Sequence, residues 1–172
     1  MHKKFLLDTS AYEELKLDSL PECIELYSTA TAQRELLDTS RDFLRRTLVD
    51  KYEVAHDATV PKTFLYKYHM NDIDGKFMKS DKELPHESFI VGTPNVGCSK
   101  VGGTGIYHKI FEFMTKKRPD KDHKNDSLIG EVAIINNLVL VTKDKLLLEA
   151  VKANGGNAIK ISEFNQCLEG SF

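Results

Sequence analysis

The chain has 172 residues, of which 41% are hydrophobic, and a formal net charge of −2. A chain of this length buries one substantial core, so we expect a single domain spanning residues 1–172. The near-neutral charge disfavours a strongly basic nucleic-acid coat protein. Three cysteines without ligand spacing argue against a disulfide framework and structural zinc, and fit a reducing cytoplasm.

The apolar run at the amino terminus is short. Phe5-Leu6-Leu7 is followed directly by Asp8, which leaves too few residues for a signal-peptide core or a membrane span. We therefore expect no membrane partner and a cytoplasmic location.

The first third of the chain predicts short strands and helices in alternation. Residues 4–7 predict a buried strand, after which Asp8-Thr9-Ser10 caps a helix over residues 11–17. Pro21 predicts a helix through residue 26, and residues 27–29 predict a second strand. A long helix is expected from near Thr31, with Glu35 in its first turns.

Residues 51–118 form the least regular part of the pattern. Glycine-rich turns lie near residues 92–105, and short helices are expected at 63–69 and 106–114. We interpret this stretch as a partly irregular insertion within the domain. Residues 51–125 contain five of the six histidines, including His108 and His123, and none has metal-ligand spacing, so exposed or locally bonded side chains are favoured.

The last third has the clearest periodicity. A helical pattern from Pro119 to residue 136 places Asp122 and Asp126 on one face and turns Glu131 towards the surface. The apolar run 138–142 predicts a strand covered on both faces, and Asp144 follows its end. A helix, a strand and a final helix come next. This alternation predicts an α/β fold with a mainly parallel sheet.

Four acids lie where strands end or where a helix turns inward: Asp8, Glu35, Asp126 and Asp144. In parallel sheets, ligands bind outside the carboxyl ends of the strands. Crowded carboxylates repel one another unless a cation neutralises them, and Mg²⁺ or Mn²⁺ suits an all-oxygen set. Such ions act on phosphodiesters. Asp126 by itself would ordinarily be interpreted as a helix cap.

A basic stretch precedes the predicted helix that carries Asp126. Lys116, Lys117 and Arg118 are either a substrate-binding patch that follows a phosphate backbone or an ordinary solvated end, with about equal support.

Two motifs resemble those of the PIN-domain nucleases, a family that includes the VapC-type toxins. The opening motif is Phe5-Leu6-Leu7-Asp8-Thr9-Ser10. The closing motif runs from Asn125-Asp126-Ser127-Leu128-Ile129-Gly130 to Leu140-Val141-Thr142-Lys143-Asp144. The family's inner acid corresponds to Glu35 in Ala32-Gln33-Arg34-Glu35-Leu36. The resemblance covers residues 3–48 and 119–162.

The resemblance implies a three-layer α/β/α fold and metal-dependent hydrolysis of RNA. It implies that the four acids are catalytic and that Asp8, Asp126 and Asp144 bind the metal ion. Ser10 and Thr142 resemble the family's supporting hydroxyls, and Asp122 is a candidate outer member. Toxin-like relatives also have an inhibitor protein and form homodimers, so both partners are expectations from the resemblance.

Three questions remain open from the sequence. Small toxin members have no counterpart of the 51–118 insertion, so the chain is either a toxin-type or an RNA-processing nuclease. A non-catalytic nucleic-acid or protein-binding module with a weakened site is the competing class. A DNA-directed nuclease of the same fold also fits, because no reader of a 2′-hydroxyl can be identified.

Overall fold

The computed structural model describes residues 3–16, 20–38, 42–52, 54, 62–70, 77–83 and 105–169. This part of the chain contains six strands and six α-helices. The strands are β1 (Lys3–Leu7), β2 (Ile24–Thr29), β3 (Leu65–Met70), β4 (Phe77–Glu83), β5 (Val139–Thr142) and β6 (Asn157–Lys160). The helices are α1 (Ala30–Leu37), α2 (Asp42–Tyr52), α3 (Ile106–Lys117), α4 (Lys124–Ile135), α5 (Lys145–Ala153) and α6 (Ile161–Leu168).

The strands form one six-stranded sheet in the order β4-β3-β2-β1-β5-β6. β1 pairs in parallel with β2 on one side and β5 on the other, and β5 pairs in parallel with β6. β3 runs antiparallel to both of its neighbours. The predicted α/β class with a mainly parallel sheet is confirmed. The carboxyl ends of β1, β2 and β5 therefore meet at one edge.

Two hydrophobic layers cover the sheet, because successive side chains of a strand point to opposite faces. Phe5 and Leu7 of β1 pack in a cluster that includes Leu48 of α2 and Phe164 of α6. Leu6 packs on the other face with residues of α3, α4 and α5. Helices on both faces of a sheet make the three-layer α/β/α arrangement.

Two helices predicted near the amino terminus are wrong. After β1 the chain makes only a 3₁₀ turn, Thr9–Ala11, because the Asp8 side chain bonds to neighbouring hydroxyls and caps no helix. The helix expected from Pro21 through residue 26 does not form, because residues 24–26 belong to strand β2, whose pairing with β1 overrides the local pattern. The long helix expected from Thr31 is divided, since α1 ends at Leu37 and α2 begins at Asp42.

Part of the irregular stretch belongs to the sheet. The helix predicted at 63–69 is wrong, because Leu65–Met70 form β3 and pair with β2. Tyr66 and Tyr68 are buried in this strand. The helix predicted at 106–114 is confirmed as α3, and most of the glycine-rich turns lie outside the described residues.

No helix in the described ranges combines the length and apolarity needed to cross a membrane.

Candidate active site

Asp8 lies at the centre of the carboxyl edge of the sheet. It directly follows β1, the strand between β2 and β5, and its N–H donates to the Val141 carbonyl at 3.0 Å. The chain leaves β1 towards β2 and leaves β5 towards β6, so its connections diverge between β1 and β5, and open α/β sheets form their ligand crevices at such a point. Asp8 is nevertheless only 3% exposed.

Two hydroxyl groups hold the Asp8 carboxylate. Ser10 and Thr142 donate to its Oδ2 atom at 2.5 and 2.8 Å. The Thr142 hydroxyl also accepts the Asp144 N–H at 2.9 Å. The two hydroxyls singled out by the sequence therefore contact the acids that end β1 and follow β5.

The two carboxylate oxygens of Asp144 have different partners. Its Oδ1 atom accepts the Leu146 and Leu147 N–H groups at 2.7 and 3.2 Å and so caps α5. Its Oδ2 atom lies 3.5 Å from the Lys121 ammonium. One oxygen stabilises the helix while the other is turned towards a cation.

Asp126 lies in the first turn of α4 and faces the same ammonium. Its Oδ2 atom is 3.5 Å from Lys121 Nζ, the distance also found for Asp144. Both carboxylate side chains are 20% exposed. A single positive charge is thus shared by two partly buried carboxylates that are far apart in sequence.

Glu35 connects α1 to the other two elements of the site. Its Oε2 atom accepts a short hydrogen bond from the Thr9 hydroxyl, and its Oε1 atom accepts from the Asn125 amide at 2.8 Å. Thr29 caps α1 through the Ala32 N–H, which fixes the start of that helix. Glu35 therefore lies between the loop after β1 and the first turn of α4.

The acids influence one another's ionisation. Burial raises the pKa of Asp8, Glu35 and Asp126 above their ordinary values. Hydrogen bonds from Ser10 and Thr142 oppose this at Asp8, bonds from Thr9 and Asn125 oppose it at Glu35, and Lys121 opposes it at Asp126.

Repulsion between carboxylates adds to burial. The charge of Asp126 raises the pKa of Asp8, that of Asp8 raises the pKa of Glu35, and those of Glu35 and Asp144 raise the pKa of Asp126. The four predicted acids thus lie close enough for the charge of one to affect the ionisation of another. Burial and repulsion together make the ionised forms of Asp8, Glu35 and Asp126 less favourable than those of exposed acids.

His123 is fully buried beside this environment. One ring nitrogen, Nε2, lies 2.8 Å from the Arg118 carbonyl and so carries the proton of that hydrogen bond. The other, Nδ1, has no hydrogen-bond partner among the described residues and lies 3.9 Å from Asp126 Oδ2. The expectation of a locally bonded histidine fits Nε2 but leaves Nδ1 unexplained. His108 is exposed on α3.

Two acids in the last third of the chain, Asp122 and Glu131, lie in surroundings that differ from those predicted. The helix expected from Pro119 begins only at Lys124, because Asp122 accepts the Lys124 N–H at 3.0 Å and closes a turn before the helix. Asp122 is exposed, pairs with the Lys124 ammonium at 3.4 Å, and shares no helix face with Asp126.

Glu131, expected at the surface, is instead fully buried. Its Oε1 atom accepts the Tyr107 N–H at 3.3 Å, at the start of α3. Gly105, the residue before α3, supplies no side-chain cap, so the glutamate provides the acceptor that this helix end needs.

The basic stretch lies at the end of α3. Lys117 is paired with Glu149 at 2.6 Å and lies 4.7 Å from the Phe113 ring centroid. Lys116 and Arg118 are exposed. Because Lys117 is already paired with an acid, fewer of the three positive charges are available to a phosphate backbone than the sequence predicts.

The donor set fits a hard divalent cation in kind, since it consists of carboxylate oxygens flanked by hydroxyl and amide groups. Among the described residues, no three or more acidic, histidine or cysteine side chains surround one point as metal ligands. The structure does bring Asp126 and Asp144 together around one cation, the Lys121 ammonium. A divalent ion would be held by these two carboxylates, with Asp8 beside them.

Sequence reasoning missed three residues of this arrangement: Thr9, Asn125 and Lys121. Thr9 and Asn125 each adjoin a predicted acid, so adjacency was the available signal. Lys121 lies in a run of alternating charges and has no feature in the sequence that separates it from Lys124.

Comparisons with protein-family models, with curated proteins and with solved structures found no match for this chain. The fold by itself defines a three-layer α/β/α protein with acidic residues at the carboxyl edge of its sheet. The family resemblance continues to rest on the two motifs.

Proposed function

We propose that this chain is a metal-dependent endoribonuclease that hydrolyses phosphodiester bonds. One observation carries the proposal: four acids that are widely separated in sequence are linked by shared partners at the carboxyl edge of a parallel sheet. Thr142 contacts Asp8 and Asp144, Lys121 contacts Asp126 and Asp144, and Asn125, the neighbour of Asp126, contacts Glu35. Acids placed for stability alone would not be gathered where the charge of one raises the pKa of another, as it does for Asp8, Glu35 and Asp126. The motifs that resemble PIN-domain nucleases support the same function.

Each residue has a role in this proposal that follows from its contacts. Asp126 and Asp144 would bind Mg²⁺ or Mn²⁺, and Asp8 would complete the ligands. Ser10 and Thr142 orient Asp8, while Thr9 and Asn125 orient Glu35. A bound divalent ion supplies charge to a phosphoryl oxygen and lowers the pKa of water.

The proposed reaction adds water across one phosphodiester bond. The water oxygen bonds to phosphorus, the bond from phosphorus to the 3′-oxygen breaks, and that oxygen takes up a proton. The products are a 5′-phosphate and a 3′-hydroxyl. Lys116 and Arg118, exposed at the end of α3, would hold the polyanion near the carboxylates.

A binding module with a weakened site is the second candidate function. The observation that favours it is the Lys121 ammonium between Asp126 and Asp144, together with the lack of a three-ligand group in the described part of the chain. A module of this kind would bind nucleic acid without cleaving it, and Mn²⁺ would not stabilise it in a saturable way.

The test is to incubate the purified chain with single-stranded RNA and with DNA of the same sequence, in Mn²⁺ and in EDTA. We expect RNA fragments with 5′-phosphate ends in Mn²⁺ and intact RNA in EDTA. Cleavage of DNA alone would identify the DNA-directed nuclease. Binding of RNA without cleavage under any of these conditions would identify the binding module and contradict the proposal.

A further inference from the structure

Lys121 contacts two of the candidate site carboxylates at once. Its Nζ atom is 3.5 Å from Asp126 Oδ2 and 3.5 Å from Asp144 Oδ2. The two acids lie on different elements, the first turn of α4 and the cap of α5. One flexible side chain thus neutralises two carboxylates that the fold brings together.

The surroundings of this ammonium differ from those of an ordinary surface ion pair. Lys124 and Asp122, three and one residues away in sequence, also pair, but their side chains are 68% and 66% exposed. Asp126 and Asp144 are only 20% exposed, whereas the Lys121 side chain is 48% exposed. The acids are fixed by the fold, while the lysine can leave into solvent.

Burial lowers the pKa of Lys121, but the charges of Asp126 and Asp144 outweigh it and the net shift is upward. The ammonium is therefore fully charged at neutral pH, as a counter-cation must be.

A second and independent feature indicates that this point takes a cation. His123 is fully buried, and its Nδ1 atom, which has no hydrogen-bond partner among the described residues, lies 3.9 Å from Asp126 Oδ2. With Nε2 donating to the Arg118 carbonyl, Nδ1 is the ring atom that faces the same carboxylate. A water bound to a cation beside that carboxylate would give this buried nitrogen the polar partner that it lacks among the described residues.

We propose that Lys121 is the built-in counter-cation of Asp126 and Asp144, which occupies the position of the divalent ion in the ion-free protein and leaves when that ion binds. The inference rests on the proposed function for the identity of the ion. It adds that ion binding is an exchange of one cation for another. Lys121 then lowers the affinity for the ion while it neutralises the two carboxylates in the ion-free protein.

The exchange is tested by titrating Mn²⁺ into the full-length chain by calorimetry, without nucleic acid, after removal of bound metal. Lys121→Met should bind Mn²⁺ roughly three- to tenfold more tightly than wild type, because no ammonium has to be displaced. Lys124→Met is the matched control, since it removes a nearby lysine paired with an exposed acid. Its affinity should equal that of wild type.

A second measurement follows the ion-free state. In EDTA, Lys121→Met should lower the thermal midpoint by about 1–3 °C because two carboxylates lose their shared partner, and saturating Mn²⁺ should remove the difference. Lys121→Gln provides a second uncharged side chain should the Met variant fold poorly. Lys121→Arg should retain wild-type behaviour in both measurements.

Equal Mn²⁺ affinities for wild type and both uncharged variants would overturn the exchange, even if the wild type cleaves RNA. Absence of Mn²⁺ binding to every variant would overturn the exchange and the proposed metal site together. Tighter binding by Lys121→Met in a protein that cleaves neither RNA nor DNA would support the exchange and contradict the nuclease.

Discussion

Thr142 donates a 2.8 Å hydrogen bond to the Asp8 carboxylate, across the boundary between β1 and β5. The same hydroxyl accepts the Asp144 N–H at 2.9 Å, so it fixes the distance between two of the candidate acids. Thr142 is fully buried, which makes each of these bonds costly to lose. The Thr142 hydroxyl therefore positions two candidate acids and also lies within the buried core.

Thr142→Val should lower the free energy of unfolding by about 1–3 kcal/mol, because the valine keeps the shape but leaves Asp8 and the Asp144 N–H each without one partner. Urea denaturation measures the change. Thr115→Val is the matched control, since the Thr115 hydroxyl is buried without a hydrogen-bond partner among the described residues. Equal losses for both variants would show that the bond to Asp8 contributes nothing.

The ionisation of Glu35 predicts a pH dependence in the ion-free protein. Burial raises its pKa above the ordinary value of 4.5. A carboxyl whose folded pKa is raised contributes stability below its unfolded pKa and loses that contribution as the pH rises through the folded value. In EDTA, the thermal midpoint of Glu35→Gln minus that of wild type should therefore become more positive from about pH 4 to pH 7.

Glu149→Gln is the control with the opposite sign. The Lys117 side chain lowers the pKa of Glu149, so this acid contributes stability at neutral pH and loses it as the pH falls through its folded pKa. The midpoint difference for this variant should become more negative as the pH rises, by a small amount because Glu149 lies at the surface. A flat profile for Glu35→Gln would contradict the raised pKa.

The basic stretch gives a third prediction. The double variant Lys116→Ala, Arg118→Ala should weaken RNA binding in EDTA and reduce the slope of log affinity against log salt by roughly 1–2, because each contact releases about one counterion. Fluorescence anisotropy measures both. Lys152→Ala, which removes an exposed lysine from α5, should leave the slope unchanged. An unchanged slope for the double variant would show that this patch does not follow the phosphate backbone.

The acids at strand ends could be predicted from sequence because their signals are local. An apolar run followed by an aspartate predicts both a buried strand and a charge at its end, as for β1 with Asp8 and β5 with Asp144. Sheet pairing then determines that the two ends are neighbours. Three-layer packing followed from the resemblance and is also what the structure has.

The remaining features depend on contacts between distant segments. Glu131 was expected at the surface because nothing near it in sequence shows that the start of α3 lacks a cap. Residues 65–70 have a helical pattern but are held as a strand by β2. Lys121 and Lys124 are equivalent in sequence, and only the arrangement of α4 and α5 gives the first of them two carboxylates. Contacts between distant segments determine these three features, and the local sequence pattern carries no information about those contacts.

The most direct test of the central claim compares RNA cleavage by wild type and Asp144→Asn in the same Mn²⁺ buffer. Asparagine also caps helices well, so α5 should form normally while the carboxylate that faces Lys121 is lost. Asp122→Asn, which alters an exposed acid before α4, is the control. We expect at least roughly a hundredfold loss of rate for Asp144→Asn at unchanged circular dichroism, and no loss for Asp122→Asn. Wild-type cleavage by a folded Asp144→Asn protein would contradict the account.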